Sequence, residues 1–219
     1  MSGSAPVEVH SLPSVSSNDV RATADRFTDS LVEAASWDWC GAALVVEHCD
    51  ARTIEHSWQK GLLPITVEIK AVQGVQRAVP AARVGMSINW GRSAIETRDP
   101  GGPQLHVCLT REAGVLNGVM FSGASDRASA YGQEWADAHL PLHPGPNTDQ
   151  PGEATSLMTA DHVRSILNAA GSGLIFEGVK VSIRPPDRTV SERIALIGLA
   201  LAALGTRRLA VSYSDGADS

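Results

Sequence analysis

Residues 104–122 read QLHVCLTREAGVLNGVMFS, which is the pattern of two β-strands joined by a turn. Apolar and polar side chains alternate over residues 104–110, as they do in a half-buried strand. Residues 115–122 supply the second strand, and Gly114 just before it can adopt the positive φ that a tight turn requires. The stretch therefore predicts an antiparallel hairpin.

Similar patterns occur on both sides of this stretch. Over residues 64–72, Ile65, Val67 and Ile69 would share one face of a strand. Short apolar runs bounded by turn-forming residues predict further strands. The predicted strands cover residues 42–46, 64–72, 83–90, 104–110, 115–122, 174–183 and 209–213. The short connections between residues 42 and 122 favour antiparallel pairing.

Helical signals separate these strands. Ser17 and Thr159 are suitable N-cap residues, and Thr189 with Glu192 has the spacing of a capping box. The predicted helices cover residues 18–36, 125–139, 159–170 and 190–205. We therefore expect an α+β fold in which about four helices pack on a mostly antiparallel sheet of about seven strands. A β-sandwich of jelly-roll type with inserted helices is the alternative.

The domain organisation follows from composition. Residues 1–17 are rich in Ser, Pro and Val without a period, and predict a flexible N-terminal arm. Residues 18–214 form a single α+β domain in this interpretation, and residues 215–219 an acidic tail. The Pro- and Gly-rich residues 141–156 are a long loop, which would act as a lid or mark an internal boundary.

The charge pattern limits the expected ligands. Charged residues make up only 19% of the chain, and such a weakly charged surface fits a protein that buries much of itself in an assembly. The net charge is −6 and the arginines are scattered, which argues against direct binding of nucleic acid. We therefore expect a homo-oligomer or a protein partner.

The cysteine count and the hydropathy pattern bear on localisation. Three cysteines, an odd number, argue against a disulfide framework and for a reducing compartment. No secretory signal is evident, and the longest apolar run, residues 194–204, is too short to span a bilayer. These features predict a cytoplasmic protein without a membrane span.

The segment 37–58 contains four potential zinc ligands: Cys40, His48, Cys49 and His56. Zinc prefers four nitrogen or sulfur donors, but their spacing lacks the close pairs of known zinc sites. The alternative interpretation is a packed junction between a helix and a strand. The sequence therefore leads us to expect no metal and no other cofactor.

A second candidate site contains His106 and Cys108, which would share one face of the predicted strand. Cys108 could act as a nucleophile with His106 as its base and Asp137 as the acid that orients the base. A buried and unreactive thiol is the alternative, since a catalytic thiol requires a lowered pKa.

The helix predicted from residue 190 is apolar on nearly all sides and suggests a subunit interface. The predicted interface residues are Ile194, Ile197, Gly198, Leu201, Trp37 and Trp58. With no catalytic motif present, the sequence favours a non-enzymatic, self-associating structural subunit of a shell, coat or secretion complex. The alternatives are a small cytosolic enzyme with a Cys/His site that uses zinc, and a protein-binding module with exposed tryptophans.

Overall fold

The computed structural model of the chain describes residues 5–13, 20–146 and 150–205. Five strands form one sheet, and every hydrogen-bonded pair of strands is parallel. The strands are β1 (Val7–Val9), β2 (Leu44–His48), β3 (Val84–Asn89), β4 (Leu116–Phe121) and β5 (Phe176–Val179). The helices are α1 (Val20–Ala35), α2 (Ile65–Ala78), α3 (Trp90–Thr97), α4 (Gly102–Glu112), α5 (Ala160–Ala170) and α6 (Val190–Ala203). A short 3-10 helix, Gly171–Gly173, follows α5.

The strands lie side by side in chain order, β1-β2-β3-β4-β5. Parallel neighbours are joined by right-handed crossovers, so consecutive helices pack on the same face of the sheet. The sheet therefore curls into half of a β/α barrel with the helices on its outside.

The outer face of the sheet and the helices that cover it form the hydrophobic core. Alternate residues of the central strands, such as Val46 in β2 and Met86 in β3, are completely buried in this core. Helical side chains meet them from outside, and the largest include Phe27, Leu31, Ile69, Val72, Val107 and Ile166. Burial of this apolar surface is the main force that holds the helices on the sheet.

The inner face of the sheet carries small and polar side chains. Successive strand residues point to opposite sides, so Glu47 of β2 shares the inner face with Ser87 of β3, with which it is in register. Ser87 Oγ donates a hydrogen bond to Glu8 Oε1 of β1 over 2.9 Å, and Asn89 Nδ2 donates to Glu47 Oε1 over 3.0 Å. The described strands thus present polar groups toward the inside of the half-barrel.

The predicted antiparallel α+β sheet, like the jelly-roll alternative, is wrong. Residues 115–122 do contain a strand, but it pairs in parallel with β3 and β5 rather than with residues 104–110. Residues 104–110 lie in α4, where His106, Val107 and Thr110 are buried and Leu105 is 56% exposed. Buried residues with this spacing share one face of a helix. An alternating sequence pattern of only seven residues does not distinguish such a helix face from a strand.

Two further predicted elements differ from the structure. Residues 64–72 lie in α2, where the buried residues Ile65, Ile69 and Val72 recur every three or four positions and so mark a helix face. Residues 125–139 form turns instead of a helix, with isolated bridges Ser129–Gly132 and Gly123–Leu140.

The other helices are confirmed where the structure describes them. The helix predicted over residues 18–36 corresponds to α1, although residues 14–19 lie outside the described residues. The capping box predicted at Thr189 and Glu192 begins α6, and Thr159 caps α5. The strand predicted at residues 209–213 lies outside the described residues, as does the tail at 215–219.

Residues 7–9, assigned to the N-terminal arm by composition, form β1 and pair with β2. Within the described part of the chain, none of the helices combines the length and the apolar character that a bilayer crossing requires.

Candidate active site

All five strands end at the same edge of the sheet, and ionisable side chains gather there. The residues at or just beyond the strand ends include His10, Glu47, His48, Cys49, Asp50, Asn89, Ser122 and Lys180. In β/α barrels the carboxyl edge of the sheet carries the active site, because the loops that follow the strands converge on it.

Two groups of side chains occupy this edge. The inner cluster lies toward the inside of the half-barrel and consists of His10, Glu47, Asn89, Arg92, Asp137, His139 and Lys180. The outer cluster lies between the sheet and the helices and consists of His48, Glu68, Glu96 and His106. Glu47 and His48 are adjacent, and the alternation of β2 sends them to opposite faces.

Glu47 is the centre of the inner cluster. Its Oε1 atom accepts hydrogen bonds from Asn89 Nδ2 and Lys180 Nζ, while His10 Nε2 lies 3.6 Å from Oε2. Burial acts to raise the pKa of Glu47, but Lys180, Asn89 and His10 outweigh it and hold the pKa below its ordinary value. Glu47 is therefore a carboxylate at neutral pH, and it fixes the position of the Lys180 ammonium group.

Asn89 connects this centre to the framework of the fold. Its Oδ1 atom accepts hydrogen bonds from the backbone N–H groups of Gly91 and Arg92, and thereby caps the N-terminus of α3. The same oxygen accepts a hydrogen bond of 2.8 Å from Ser122 Oγ at the end of β4. The Asn89 side chain is thus held by two neighbouring elements while it orients Glu47.

Arg92 joins the loop after β2 to the loop after β4. Its guanidinium donates to Asp50 Oδ1 over 3.1 Å and, through Nη2, to Asp137 Oδ2. Asp50 is completely buried, and its other oxygen accepts hydrogen bonds from the backbone N–H groups of Gln59 and Lys60. Arg92 therefore holds Asp137, and with it the segment that carries His139, over the strand ends.

His139 faces this edge from a strained backbone position, with φ at 49°. Its Nδ1 atom lies 3.7 Å from Asp137 Oδ1 and is buried without a hydrogen-bond partner. Burial lowers the pKa of His139; Asp137 opposes this effect, but Arg92 and Lys180 add to it. The imidazole is therefore neutral at neutral pH and is able to accept a proton.

A cleft of about 580 Å³ opens beside His139. The polar side chains in its lining include Gln59, Tyr131, Gln133, Asp137, His139 and Arg184. Such a cavity has the size of a small-molecule site, and its amide and guanidinium groups are suited to hydroxyl and carbonyl oxygens.

The outer cluster is centred on His48, which is completely buried. Its Nδ1–H donates to Glu68 Oε2 over 2.6 Å, and its Nε2–H donates to Glu96 Oε2 over 2.9 Å. Burial acts to lower the pKa of His48, but Glu68 and Glu96 outweigh it and raise the pKa to about 10. The ring is therefore an imidazolium held between two carboxylates.

His106 and Glu96 complete the outer cluster. Burial and the charge of His48 lower the pKa of His106 to about 4, against the opposing effect of Glu96. Burial would raise the pKa of Glu96, but the hydrogen bond and the charge of His48 hold it below its ordinary value. His106 Nδ1 forms a hydrogen bond of 3.0 Å with Ser93 Oγ, so its Nε2 atom faces Glu96.

The four potential zinc ligands in the segment 37–58 do not come together. His48 belongs to the outer cluster, whereas Cys49 Sγ lies 3.5 Å from His10 Nδ1 beside the inner cluster. Cys40 is exposed at the end of the loop after α1, and His56 lies in the loop between β2 and α2, where it contacts Ser57. Burial raises the pKa of the Cys49 thiol to about 12, so this thiol is protonated at neutral pH.

The predicted triad does not assemble either. Cys108 and His106 both lie in α4, and residues two apart on a helix point in different directions. His106 bonds to Ser93, and Asp137 pairs with Arg92 at the inner cluster. His106 and Asp137 are therefore site residues, but in separate clusters and in other roles than predicted.

The predicted interface residues lie largely on the surface. Ile194, Ile197 and Leu201 of α6 are exposed, and Gly198 has open space around it. Trp58 is exposed in the loop before α2, and Trp37 lines a cleft of about 280 Å³ at the opposite, amino edge of the sheet. The interface remains a prediction.

Sequence reasoning named His48, His106 and Asp137 but missed other members of the two clusters, among them His10, Glu68, Asn89, Arg92, Glu96 and Lys180. Asn89 and Lys180 each lie near the carboxyl end of a predicted strand, at residues 83–90 and 174–183. A prediction of parallel pairing would have made both residues candidate site residues, because the carboxyl ends of parallel strands meet at one edge of the sheet. Glu68 and Glu96 lie on helices and carry no comparable signal.

Residues 4–196 match a family described as a domain of unknown function, DUF4862. The chain belongs to this family. A relative, described as an uncharacterized protein of Salmonella typhimurium (strain LT2), is 34% identical over 205 residues, which cover 92% of this chain. The chain spans 60% of the length of that relative.

The fold was also compared with a crystal structure of a xylose isomerase domain containing protein from Salmonella typhimurium LT2. The alignment covers 90% of this chain and 75% of the other chain. The sequence identity is 14% and the TM-score 0.37, so the fold assignment rests on the topology of the sheet.

The prediction of a non-enzymatic shell, coat or secretion subunit is wrong. Parallel strands in chain order, with ionisable side chains gathered where the strands end, fit a small enzyme better than a shell, coat or secretion subunit.

Proposed function

We propose that the protein is an enzyme that moves a proton on a small hydroxycarbonyl compound, such as a sugar. The observation that carries this proposal is the juxtaposition of a neutral His139, which lines the cleft, with the Lys180–Glu47 ion pair. A neutral base next to a fixed cation is the combination that abstraction of a proton next to a carbonyl requires.

Each group has one role in this mechanism. The imidazole of His139 removes the proton, and the electrons of the broken C–H bond form a C=C bond to the carbonyl carbon. The carbonyl electrons move to the oxygen, where the Lys180 ammonium group stabilises the resulting charge. The isomer forms when the proton of the adjacent hydroxyl group moves to the former carbonyl oxygen and His139 returns its proton to the former carbonyl carbon. The reaction therefore needs no oxidant or reductant.

Other residues support these two groups. Glu47 and Asn89 position Lys180, and Asp137 with Arg92 positions His139. Gln59, Gln133 and Arg184 line the cleft and offer hydrogen bonds to substrate hydroxyl groups. The substrate class is inferred from these polar walls.

The test is solvent deuterium incorporation, followed by NMR in D₂O over a panel of aldoses, ketoses and their phosphate esters. We expect at least one compound to exchange a carbon-bound proton in the presence of the enzyme. Lys180→Met should slow this exchange by about 100-fold or more, the effect of losing one group that stabilises an oxyanion. His139→Asn should abolish the catalysed exchange.

Matched controls come from the same chain. Lys70 is exposed on α2, so Lys70→Met should leave the exchange rate unchanged, and His56→Asn should do the same. The proposal is refuted if the folded wild-type protein exchanges no compound of the panel. It is equally refuted if exchange occurs but is undiminished in Lys180→Met and His139→Asn.

A further inference from the structure

The outer cluster takes no part in the proposed proton transfer, yet it has the composition of a metal site. His48, Glu96 and His106 each offer one ligand atom, and these atoms all lie within 4.8 Å of one another. They come from β2, α3 and α4, three elements that meet behind the sheet.

We propose that the outer cluster binds a divalent transition-metal ion, for which zinc is the best match, through His48, Glu96 and His106. Two imidazoles and one carboxylate are a known ligand set of zinc, with a fourth position left for water. Imidazole ligands favour zinc and its transition-metal neighbours over magnesium or calcium.

The separations between the ligand atoms suit a tetrahedral ion. Zinc bonds to nitrogen and oxygen of about 2.0–2.2 Å place neighbouring tetrahedral ligands about 3.4 Å apart. His48 Nε2 lies 2.9 Å from Glu96 Oε2, and His106 Nε2 lies 3.9 Å from Glu96 Oε1. These two values, measured to the two oxygens of one carboxylate, lie on either side of the required separation, and one ligand atom from each of the three residues lies within 4.8 Å of the others.

The remaining ring nitrogens have the partners that metal-bound histidines normally have. His48 Nδ1 bonds to Glu68 Oε2 over 2.6 Å, and His106 Nδ1 bonds to Ser93 Oγ over 3.0 Å. Such second partners fix the orientation of each ring and direct the other nitrogen at the ion. Glu68 is itself held by the Ser11 hydroxyl group, so the support extends to the segment after β1.

An ion has a route to this position. The side chains of His48 and His106 are 0% and 5% exposed, but that of Glu96 is 17% exposed. The carboxylate therefore connects the buried imidazoles to solvent and leaves room for a bound water. A metal here would tie α3 and α4 to the end of β2, which is a role separate from the proposed catalysis.

The experiment is a titration of the chelator-treated full chain with Co²⁺, which substitutes for zinc and reports its ligands by its absorption spectrum. We expect about one ion per chain with the visible bands of a four-coordinate site of nitrogen and oxygen ligands. No thiolate-to-cobalt charge-transfer band should appear, and Zn²⁺ should displace the Co²⁺.

Variants assign the site. His106→Ala should remove the spectrum, whereas Cys49→Ser and the control His56→Ala should retain it. Ser93→Ala and Glu68→Gln should weaken binding by about 10- to 100-fold, as loss of second partners does. If His106→Ala does not fold, the spectra of wild type and Cys49→Ser still show whether a thiolate binds the ion.

Two outcomes would overturn the proposal. A thiolate band that Cys49→Ser removes would assign the ion to His10, Glu47 and Cys49, the other group of ligand-type side chains found among the described residues. Absence of Co²⁺ binding to the wild-type chain would show that His48 serves only as an imidazolium between Glu68 and Glu96.

Discussion

Glu47 and His48 are neighbours at the end of one strand, yet the clusters that they build differ in their access to solvent. In the inner cluster the side chains of Lys180 and His10 are 31% and 50% exposed. In the outer cluster the side chains of His48 and Glu68 are both 0% exposed. The exposed charges of the inner cluster are available to a substrate, whereas charges as fully buried as those of His48 and Glu68 act mainly on stability. The alternation of β2 is what separates the two functions.

The largest expected effect is the loss of stability when the buried cation is removed. His48→Ala leaves Glu68 and Glu96 facing each other without the imidazolium between them. Loss of one partner from a buried ionic network costs about 3–5 kcal/mol. Urea unfolding at neutral pH with a chelator present measures the free energy of unfolding, and His48→Ala should lower it by that amount.

His10→Ala is the matched change in the inner cluster. Its side chain is half exposed and its contact with Glu47 Oε2 is 3.6 Å, so we expect a loss within about 1 kcal/mol. Equal losses of unfolding free energy in His48→Ala and His10→Ala would show that the outer and inner clusters do not differ in their contribution to stability.

The second prediction concerns pH and follows from the raised pKa of His48, about 10. The unfolded chain releases this proton near pH 6.5, but the folded chain keeps it to about pH 10. The stabilisation by His48 is therefore fully present below pH 6.5 and is lost as the pH rises toward 10. The slope is at most about 1.4 kcal/mol per pH unit.

The control for this prediction is His48→Gln, which lacks the titrating group. With a chelator present, so that no metal ion occupies His48 Nε2, the difference between the free energies of unfolding of wild type and variant should shrink from pH 6.5 to pH 10. Parallel curves over this range would mean that His48 is not an imidazolium in the folded chain. On the acid side, the lowered pKa of His106 predicts that stability falls as the pH drops from 6.5 toward 4.

The sequence predicts the local elements of this protein better than their arrangement. The capping box at Thr189 and the N-cap at Thr159 are short-range signals, and both are confirmed. The alternation in residues 64–72 and 104–110 predicts strands, but over so short a length the same pattern also fits the period of a helix, and both segments are helical. With both segments helical, the order of elements becomes an alternation of strand and helix, which predicts parallel pairing.

The candidate site could be predicted only in part, for a related reason. His48, Cys49, His106 and Asp137 were identified by residue type, and each lies in or beside one of the clusters. Their grouping depends on which strands are neighbours, and residue type does not contain that information. Lys180 reaches Glu47 across 133 positions of sequence, and only the sheet topology brings them together.

The smallest expected effect compares one hydroxyl group in each cluster. Ser122 Oγ bonds to Asn89 in the inner cluster, and Ser93 Oγ bonds to His106 in the outer cluster, at 2.8 and 3.0 Å. Both hydroxyl groups are buried, so Ser122→Ala and Ser93→Ala should each lower the free energy of unfolding by about 1 kcal/mol. Their effects on proton exchange should differ, because Asn89 orients Glu47 and through it Lys180. Ser122→Ala should therefore slow exchange while Ser93→Ala leaves it unchanged, and the reverse pattern would place the chemistry behind the sheet rather than inside the half-barrel.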